Sequence, residues 1–137
     1  MRKRIMVVDD DTGVREIVFR QLHNDYDILQ ASDGREALKL LDNIRPDLVL
    51  LDISMPHMGG LEFLKAARGI VPGLLVLMLT ANLDLGMAQE ALDLGARAYM
   101  TKPFSPEELG AEVARLARSL GEDDARKTVH SPWRIVS

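Results

Sequence analysis

The chain has 137 residues, 47% of them hydrophobic, which is enough for one domain with a buried core. Its net charge of −4 disfavours a nucleic-acid surface within these residues, because phosphate backbones are bound mainly through Lys and Arg. It has no cysteine, which excludes disulfides and thiolate chemistry, and no apolar stretch long enough for a signal peptide or a membrane span. We therefore expect a cytoplasmic protein with no membrane partner.

Short apolar runs alternate with helical patterns from residue 4 to about residue 119. Runs of this kind are typical of buried parallel strands separated by helices. Five such units predict an α/β fold in which helices cover both faces of a parallel sheet, in three layers. The predicted strands lie near 4–8, 26–30, 47–51, 74–79 and 97–101, and the first four helices near 12–23, 34–44, 60–69 and 84–94.

Helix boundaries have their own sequence patterns. Asp33 with Glu36 predicts a cap for the second helix, and Ser105-Pro106-Glu107-Glu108 is a capping box that begins the fifth. Gly95 stands where a left-handed residue ends the fourth helix. Helical spacing places four apolar residues on one face of the first helix, namely Val14, Ile17, Val18 and Leu22.

The C-terminal residues break the alternation. Residues 121–137 are polar and of mixed charge, without periodicity, so we predict a domain over 1–120 followed by a tail or linker over 121–137. Trp133 is the tail residue that we expect to pack against another surface.

Four of the apolar runs end at polar residues. Asp9-Asp10-Asp11 follow the first, Asp52 ends the third, Thr80 ends the fourth and Lys102 follows the fifth. Because ligands of parallel sheets bind beyond the carboxyl ends of the strands, we expect these side chains to meet at one rim.

The residue types at this rim favour phosphoryl chemistry. Asp9 and Asp10 repel each other and would be relieved by a cation, and oxygen ligands without His or Cys favour Mg²⁺ or Mn²⁺ over zinc. Asp52 could be a nucleophile for phosphorus, with Thr80 and Lys102 as a hydroxyl and a cation for the phosphoryl oxygens. Each residue also has a plain alternative. Asp9 and Asp10 could form a solvated acidic turn, and Asp52 could be a structural cap. Thr80 could be an ordinary β-forming residue and Lys102 an ordinary loop residue. Asp11 is expected only to stabilise the start of the first helix.

Together these motifs resemble the response-regulator receiver domain, the CheY-like phospho-acceptor of bacterial two-component signalling. The resemblance covers about residues 3–120 and implies a flavodoxin-like (βα)5 fold with strand order 2-1-3-4-5. The matching blocks are Val7-Val8-Asp9-Asp10-Asp11, Leu50-Leu51-Asp52-Ile53-Ser54-Met55-Pro56, Gly59-Gly60-Leu61, Leu79-Thr80-Ala81 and Thr101-Lys102-Pro103-Phe104.

The resemblance also implies roles for individual residues. Asp52 would be phosphorylated, and Asp10, Asp52 and the Ser54 carbonyl would bind Mg²⁺ directly, with Asp9 acting through water. Phosphoryl oxygens would be bound by Lys102, Thr80 and the backbone N–H of Ala81. Tyr99 would be the switch residue that moves inward with Thr80, and its plain alternative is an aromatic half covered on an edge strand. The Lys102–Pro103 bond is expected to be cis.

Partners follow from the same resemblance. The phosphoryl donor would be a sensor histidine kinase or a phosphotransfer protein, and the receiver would control an output domain or a downstream protein through the face of the fourth helix, fifth strand and fifth helix. A phosphorylation-dependent homodimer is one expected assembly. This face lacks the dense alternating charges with which the winged-helix regulators dimerise, which argues against that subfamily. The expected residues of the face are Met87, Ala88, Ala91, Arg97 and Ala98.

The competing interpretations differ in class. A haloacid-dehalogenase-type phosphatase needs an acid two residues after its nucleophile, where this chain has Ser54, and a flavodoxin-like FMN binder needs a phosphate loop where this chain has three aspartates. We therefore expect a phospho-acceptor that catalyses only its own phosphorylation and dephosphorylation, not an enzyme acting on other substrates. Whether it is a stand-alone receiver or the N-terminal module of a longer regulator stays open.

Overall fold

A computed structural model describes residues 2–55, 57–81, 85–120 and 134–136. Strands and helices alternate as predicted, with boundaries within about two residues of those expected. Pro56 and Trp133 lie outside the described residues. The elements are β1 (Arg4–Val8), α1 (Thr12–Leu22), β2 (Asp27–Ala31), α2 (Gly34–Asn43), β3 (Leu48–Asp52), α3 (Gly60–Ile70), β4 (Leu75–Thr80), α4 (Leu85–Asp93), β5 (Ala98–Thr101), α5 (Pro106–Ser119) and β6 (Arg134–Val136).

The strands form one sheet in which every pairing is parallel, in the order β2-β1-β3-β4-β5-β6. The first five strands confirm the predicted order 2-1-3-4-5. The sixth strand was not predicted, because a segment of three residues is too short for an alternating pattern to be recognised. The tail thus adds a strand beside β5, while the division of the chain at residue 120 stays a prediction.

Both faces of the sheet are covered, which explains the nearly continuous apolar strands. Successive residues point to opposite faces, so each central strand supplies two cores. The core under α2, α3 and α4 includes Met6, Val8, Val49, Leu51, Val76, Met78 and Tyr99. The core under α1 and α5 includes Ile5, Val7, Leu48, Leu50, Leu77, Leu79 and Met100.

The helices begin where the capping residues indicate. The Asp11 carboxylate accepts a hydrogen bond from the Gly13 N–H at 2.8 Å. The predicted capping box of α5 is confirmed, with Ser105 and Glu108 bonded reciprocally. Gly95 has a φ of 97°, the left-handed conformation expected of it.

The second helix differs in one detail from a capping box. Asp33 caps it as predicted, accepting from the Glu36 N–H at 2.9 Å. The Glu36 carboxylate, however, accepts from the backbone N–H of Ser32 at 2.6 Å, one residue before the cap. No helix in the described part of the chain is long and apolar enough to cross a bilayer.

Candidate functional site

The predicted site residues lie at the carboxyl ends of four neighbouring strands. Asp9 follows β1, Asp52 is the last residue of β3, Thr80 is the last of β4, and Lys102 follows β5. The parallel register brings these ends to one edge of the sheet, and the Lys102 N–H donates to the Thr80 carbonyl at 2.7 Å. The rim expected from the sequence is therefore present.

Three carboxylates gather at this edge. One carboxylate oxygen from each of Asp9, Asp10 and Asp52 lies within 4.8 Å of the other two. Asp9 and Asp52 are buried, at 0% and 5% exposure, whereas Asp10 is exposed. An oxygen-only set of this kind, with one side open, has the donor chemistry that a hard divalent cation requires.

Lys102 lies between the two buried acids. Its Nζ is 2.7 Å from Asp9 Oδ2 and 3.6 Å from Asp52 Oδ1. The closer bond is therefore to Asp9, whose other oxygen accepts from the Asp11 N–H at 2.9 Å. The Asp9 carboxylate is therefore neutralised by Lys102 and by the Asp11 N–H. The negative charge that remains to bind a ligand is mainly that of Asp10 and Asp52.

The electrostatics of Asp52 reflect this arrangement. Burial and the neighbouring charge of Asp9 raise the pKa of the Asp52 carboxyl to about 6, and Asp10 acts in the same direction. Lys102 and the Ser54 N–H, which lies 3.4 Å from Asp52 Oδ1, oppose this rise. At neutral pH Asp52 is mainly a carboxylate, and a nearby cation would favour that ionised form further.

The backbone after Asp52 is packed tightly against α3. The Gly60 N–H donates to the Ile53 carbonyl at 2.8 Å, and the Ile53 N–H donates to the Leu79 carbonyl at 3.3 Å. A Cβ on Gly60 would overlap the Asp52 carbonyl oxygen and lie 2.8 Å from Ile53 Cα. Glycine at position 60 therefore lets the start of α3 approach the acid-bearing strand.

Thr80 and Tyr99 occupy buried positions along β4 and β5. Thr80 is 3% exposed, and Ala81 after it is exposed. Tyr99 is 0% exposed and packs in the core with Ala88 and Ala91 of α4. The alternative of a half-covered aromatic on an edge strand is wrong for this structure, because β6 pairs with β5 on its outer side.

Arg15 is a site residue that sequence reasoning missed. Its guanidinium donates to the Asp9 carbonyl oxygen at 2.6 Å and to Gln30 Oε1 at 3.2 Å. It therefore fixes the backbone of the first acid from α1. A single arginine in an amphipathic helix has no distinguishing pattern, so the sequence could not have assigned this contact.

An apolar groove of about 330 Å³ opens beside Lys102. Ile17 lines it and is 42% exposed, although helical spacing places it on the same face of α1 as the buried Val18 and Leu22. Helical spacing places a residue on a side of the helix but does not tell how far the covering layer extends. The other lining residues are Asp11, Val14, Ala81, Lys102, Pro103 and Phe104. The Lys102–Pro103 bond is cis, as expected.

Comparison with known proteins agrees with this geometry. The family model of the response regulator receiver domain matches residues 5–114. The chain is 45% identical over 125 residues to the response regulator MprA of Mycolicibacterium vanbaalenii, covering 90% of this chain and 54% of that protein. The chain therefore spans about half the length of this curated relative.

Two solved structures extend the comparison. A CheY-like receiver domain protein from Methanospirillum hungatei matches with a TM-score of 0.84 and 32% identity, over 89% of this chain and 99% of that one. DrrB of Thermotoga maritima, described as an OmpR/PhoB homologue, matches with a TM-score of 0.80 and 30% identity, over 88% of this chain and 54% of that one.

Proposed function

Because the chain belongs to the response-regulator receiver family, we propose that it is a switch that accepts a phosphoryl group on Asp52. The observation on which this depends is the cluster of Asp9, Asp10 and Asp52 within 4.8 Å, with Lys102 bonded to the buried pair. The donor would be a sensor histidine kinase or a phosphotransfer protein in the cytoplasm.

The transfer would proceed by direct displacement at phosphorus. An Asp52 oxygen forms the new O–P bond while the P–N bond of the donor phosphohistidine breaks, and its electron pair stays on the imidazole nitrogen. Asp52 must be ionised to attack, and a pKa of about 6 leaves it ionised at neutral pH. Lys102, whose Nζ lies 3.6 Å from Asp52 Oδ1, would stabilise charge on the phosphoryl oxygens.

The acidic cluster fits a divalent cation, which we propose is Mg²⁺. Asp10, Asp52 and the Ser54 carbonyl would hold it, and Asp9, bonded to Lys102 at 2.7 Å, would contribute through water. When bound, the cation would neutralise charge between the carboxylates and the phosphoryl oxygens. Mn²⁺ offers the same oxygen preference.

Phosphorylation would act on the rest of the domain through Thr80 and Tyr99. Thr80 and the Ala81 N–H would bond phosphoryl oxygens, and the packing of Tyr99 under α4 would couple this to the face of α4, β5 and α5. Moving the active state from about 1% to about 99% requires roughly 5.5 kcal/mol of differential stabilisation. A few charge-assisted hydrogen bonds in a partly desolvated site are on this scale.

The output is a further part of the proposal. We propose that this face controls an output domain or a downstream protein, and that the chain catalyses only its own phosphorylation and dephosphorylation. The lack of dense alternating charges on this face argued against the winged-helix regulators. DrrB, which is described as an OmpR/PhoB homologue, nevertheless matches this chain, and this weakens that argument. A phosphorylation-dependent homodimer through this face is therefore included.

Phosphorylation with acetyl phosphate and Mg²⁺, followed by intact mass and peptide mapping, tests the assignment. We expect one phosphoryl group on Asp52, none in Asp52→Asn, and normal modification of Asp42→Asn, whose side chain lies exposed on α2. Chelation of the cation should abolish the reaction. Equal modification of wild type and Asp52→Asn would reject Asp52, and turnover of small phosphate esters would favour a phosphatase instead.

A further inference from the structure

The outer side of β5 is occupied by the C-terminal end of the same chain. Arg134–Val136 pairs with β5 in parallel, with Cα partners Ala98 with Arg134, Tyr99 with Ile135 and Met100 with Val136. An unpaired edge strand presents a row of N–H and C=O groups that attract another strand. In this structure the chain itself satisfies that edge of β5.

A second observation comes from α5. Ala114 and Ala117 line a cleft with Tyr26, so this flank of α5 faces the start of the sheet near β1 and β2. Glu112 is about 200° around the helix from Ala114, which places it on the opposite flank, towards the outer edge of β5. Glu112 is only 4% exposed and pairs with Arg115 at 2.6 Å. A buried carboxylate on this flank indicates that the flank is covered.

We propose that the outer edge of β5 is a strand-binding surface whose occupant in the free protein is Arg134–Val136 of the same chain. The proposal rests on the function proposed above in one respect, namely that the face of α4, β5 and α5 associates with a second copy of the chain. Occupation of the edge in cis competes with that association. The C-terminal strand is then a tethered competitor that sets the threshold for assembly.

The dimensions suit a reversible contact. β6 has three residues, so only a few backbone hydrogen bonds hold it, and short edge strands are weakly fixed. Its covalent tether keeps it at an effective concentration on the order of millimolar beside β5. Leu85 and Leu92 of the adjacent α4 remain 71% and 37% exposed. These leucines offer a second copy apolar contacts that β6 leaves open.

A designed disulfide tests the occupation without any phosphorylation. The chain has no cysteine, so Ala98→Cys with Arg134→Cys reports only the proposed register. Neighbouring strands lie about 4.8 Å apart, within the Cα separation of disulfides. We expect an intramolecular disulfide in the monomer of the 137-residue chain. We expect little in the control Ala98→Cys with Ser137→Cys, because position 137 is three residues further along the chain. Equal crosslinking of both pairs, or links between chains only, would overturn the proposal.

Self-association of the 137-residue chain and its variants tests the competition. Ile135→Pro with Val136→Pro must remove at least one bond to β5, because consecutive N–H groups of a strand point to opposite sides. Sedimentation with Mg²⁺ and beryllofluoride measures the association constant. We expect this double proline variant to associate about tenfold more tightly than wild type. The protein locked by the disulfide should associate about tenfold more weakly than wild type until the disulfide is reduced. The control, Ile135→Val with Val136→Ile, should match wild type.

Equal association constants for all of these proteins would refute the competition. Phosphorylation of Asp52 is measured in the same samples with acetyl phosphate. Loss of that modification would count against the proposed function alone, since the disulfide decides the position of β6 in the unmodified protein.

Discussion

Replacing Asp52 with asparagine should stabilise the protein in the absence of divalent cations. The Asp52 carboxyl has its pKa raised from 3.8 to about 6 by burial and by Asp9. The folded state therefore binds this proton more tightly than the unfolded state does. Between about pH 4 and about pH 6 the unfolding free energy of wild type falls as pH rises, and the loss is complete above that range. Asparagine keeps the shape and lacks the charge.

The pKa values set the size of the effect. A rise of the pKa from 3.8 to about 6 makes ionisation of Asp52 less favourable in the folded state than in the unfolded state by about 3 kcal/mol. Water that enters the open side of the rim screens part of this, so we expect Asp52→Asn to gain about 1–2 kcal/mol at pH 7.5. For a chain of 137 residues, that gain raises Tm by about 3–8 °C.

Thermal and urea unfolding in EDTA, from pH 4 to pH 8, measures this gain. The stability difference between Asp52→Asn and wild type should be close to zero at pH 4 and largest above pH 6.5. Asp42→Asn, at an exposed position on α2, should change stability by less than about 0.5 kcal/mol at every pH. Added Mg²⁺ should stabilise wild type more than the variant and so reduce the difference. A gain that is absent at pH 7.5, or that persists unchanged at pH 4, would refute the electrostatic reasoning.

Two further substitutions test contacts at the rim. Lys102→Met leaves the buried Asp9 without its ion pair at 2.7 Å. We expect urea unfolding to show a free energy of unfolding lower by about 3 kcal/mol. Phosphorylation of Asp52 by acetyl phosphate should also be slower. Unchanged stability would show that Asp9 is compensated in another way. Gly60→Ala places a methyl group against the Asp52 carbonyl and should cost about 2 kcal/mol or more, measured by the same unfolding. The control is Gly69→Ala, in the same helix but with open space around it, which should be neutral or stabilise the protein by up to about 1 kcal/mol. Equal effects of alanine at both glycines would contradict the close approach at Gly60.

Much of the fold followed from local patterns in the sequence. Five apolar runs and the helical periods between them predicted the parallel sheet, because both patterns depend on neighbours within a few residues. Capping residues such as Asp33 and Ser105 were identified for the same reason, since each bonds a backbone group three positions away. The residues of the rim were also predicted, because strand ends in a parallel sheet share one edge.

The tertiary structure decided how these groups are paired and covered. Lys102 bonds Asp9 more closely than Asp52, at 2.7 Å against 3.6 Å, and this small difference is set by how segments far apart in the chain pack together. The tertiary structure also decides how far each hydrophobic side chain is covered, since Tyr99 is fully buried whereas Ile17 is exposed. The pairing of β6 with β5 has the same origin, because a strand of three residues is fixed by the edge that it meets and not by a pattern of its own.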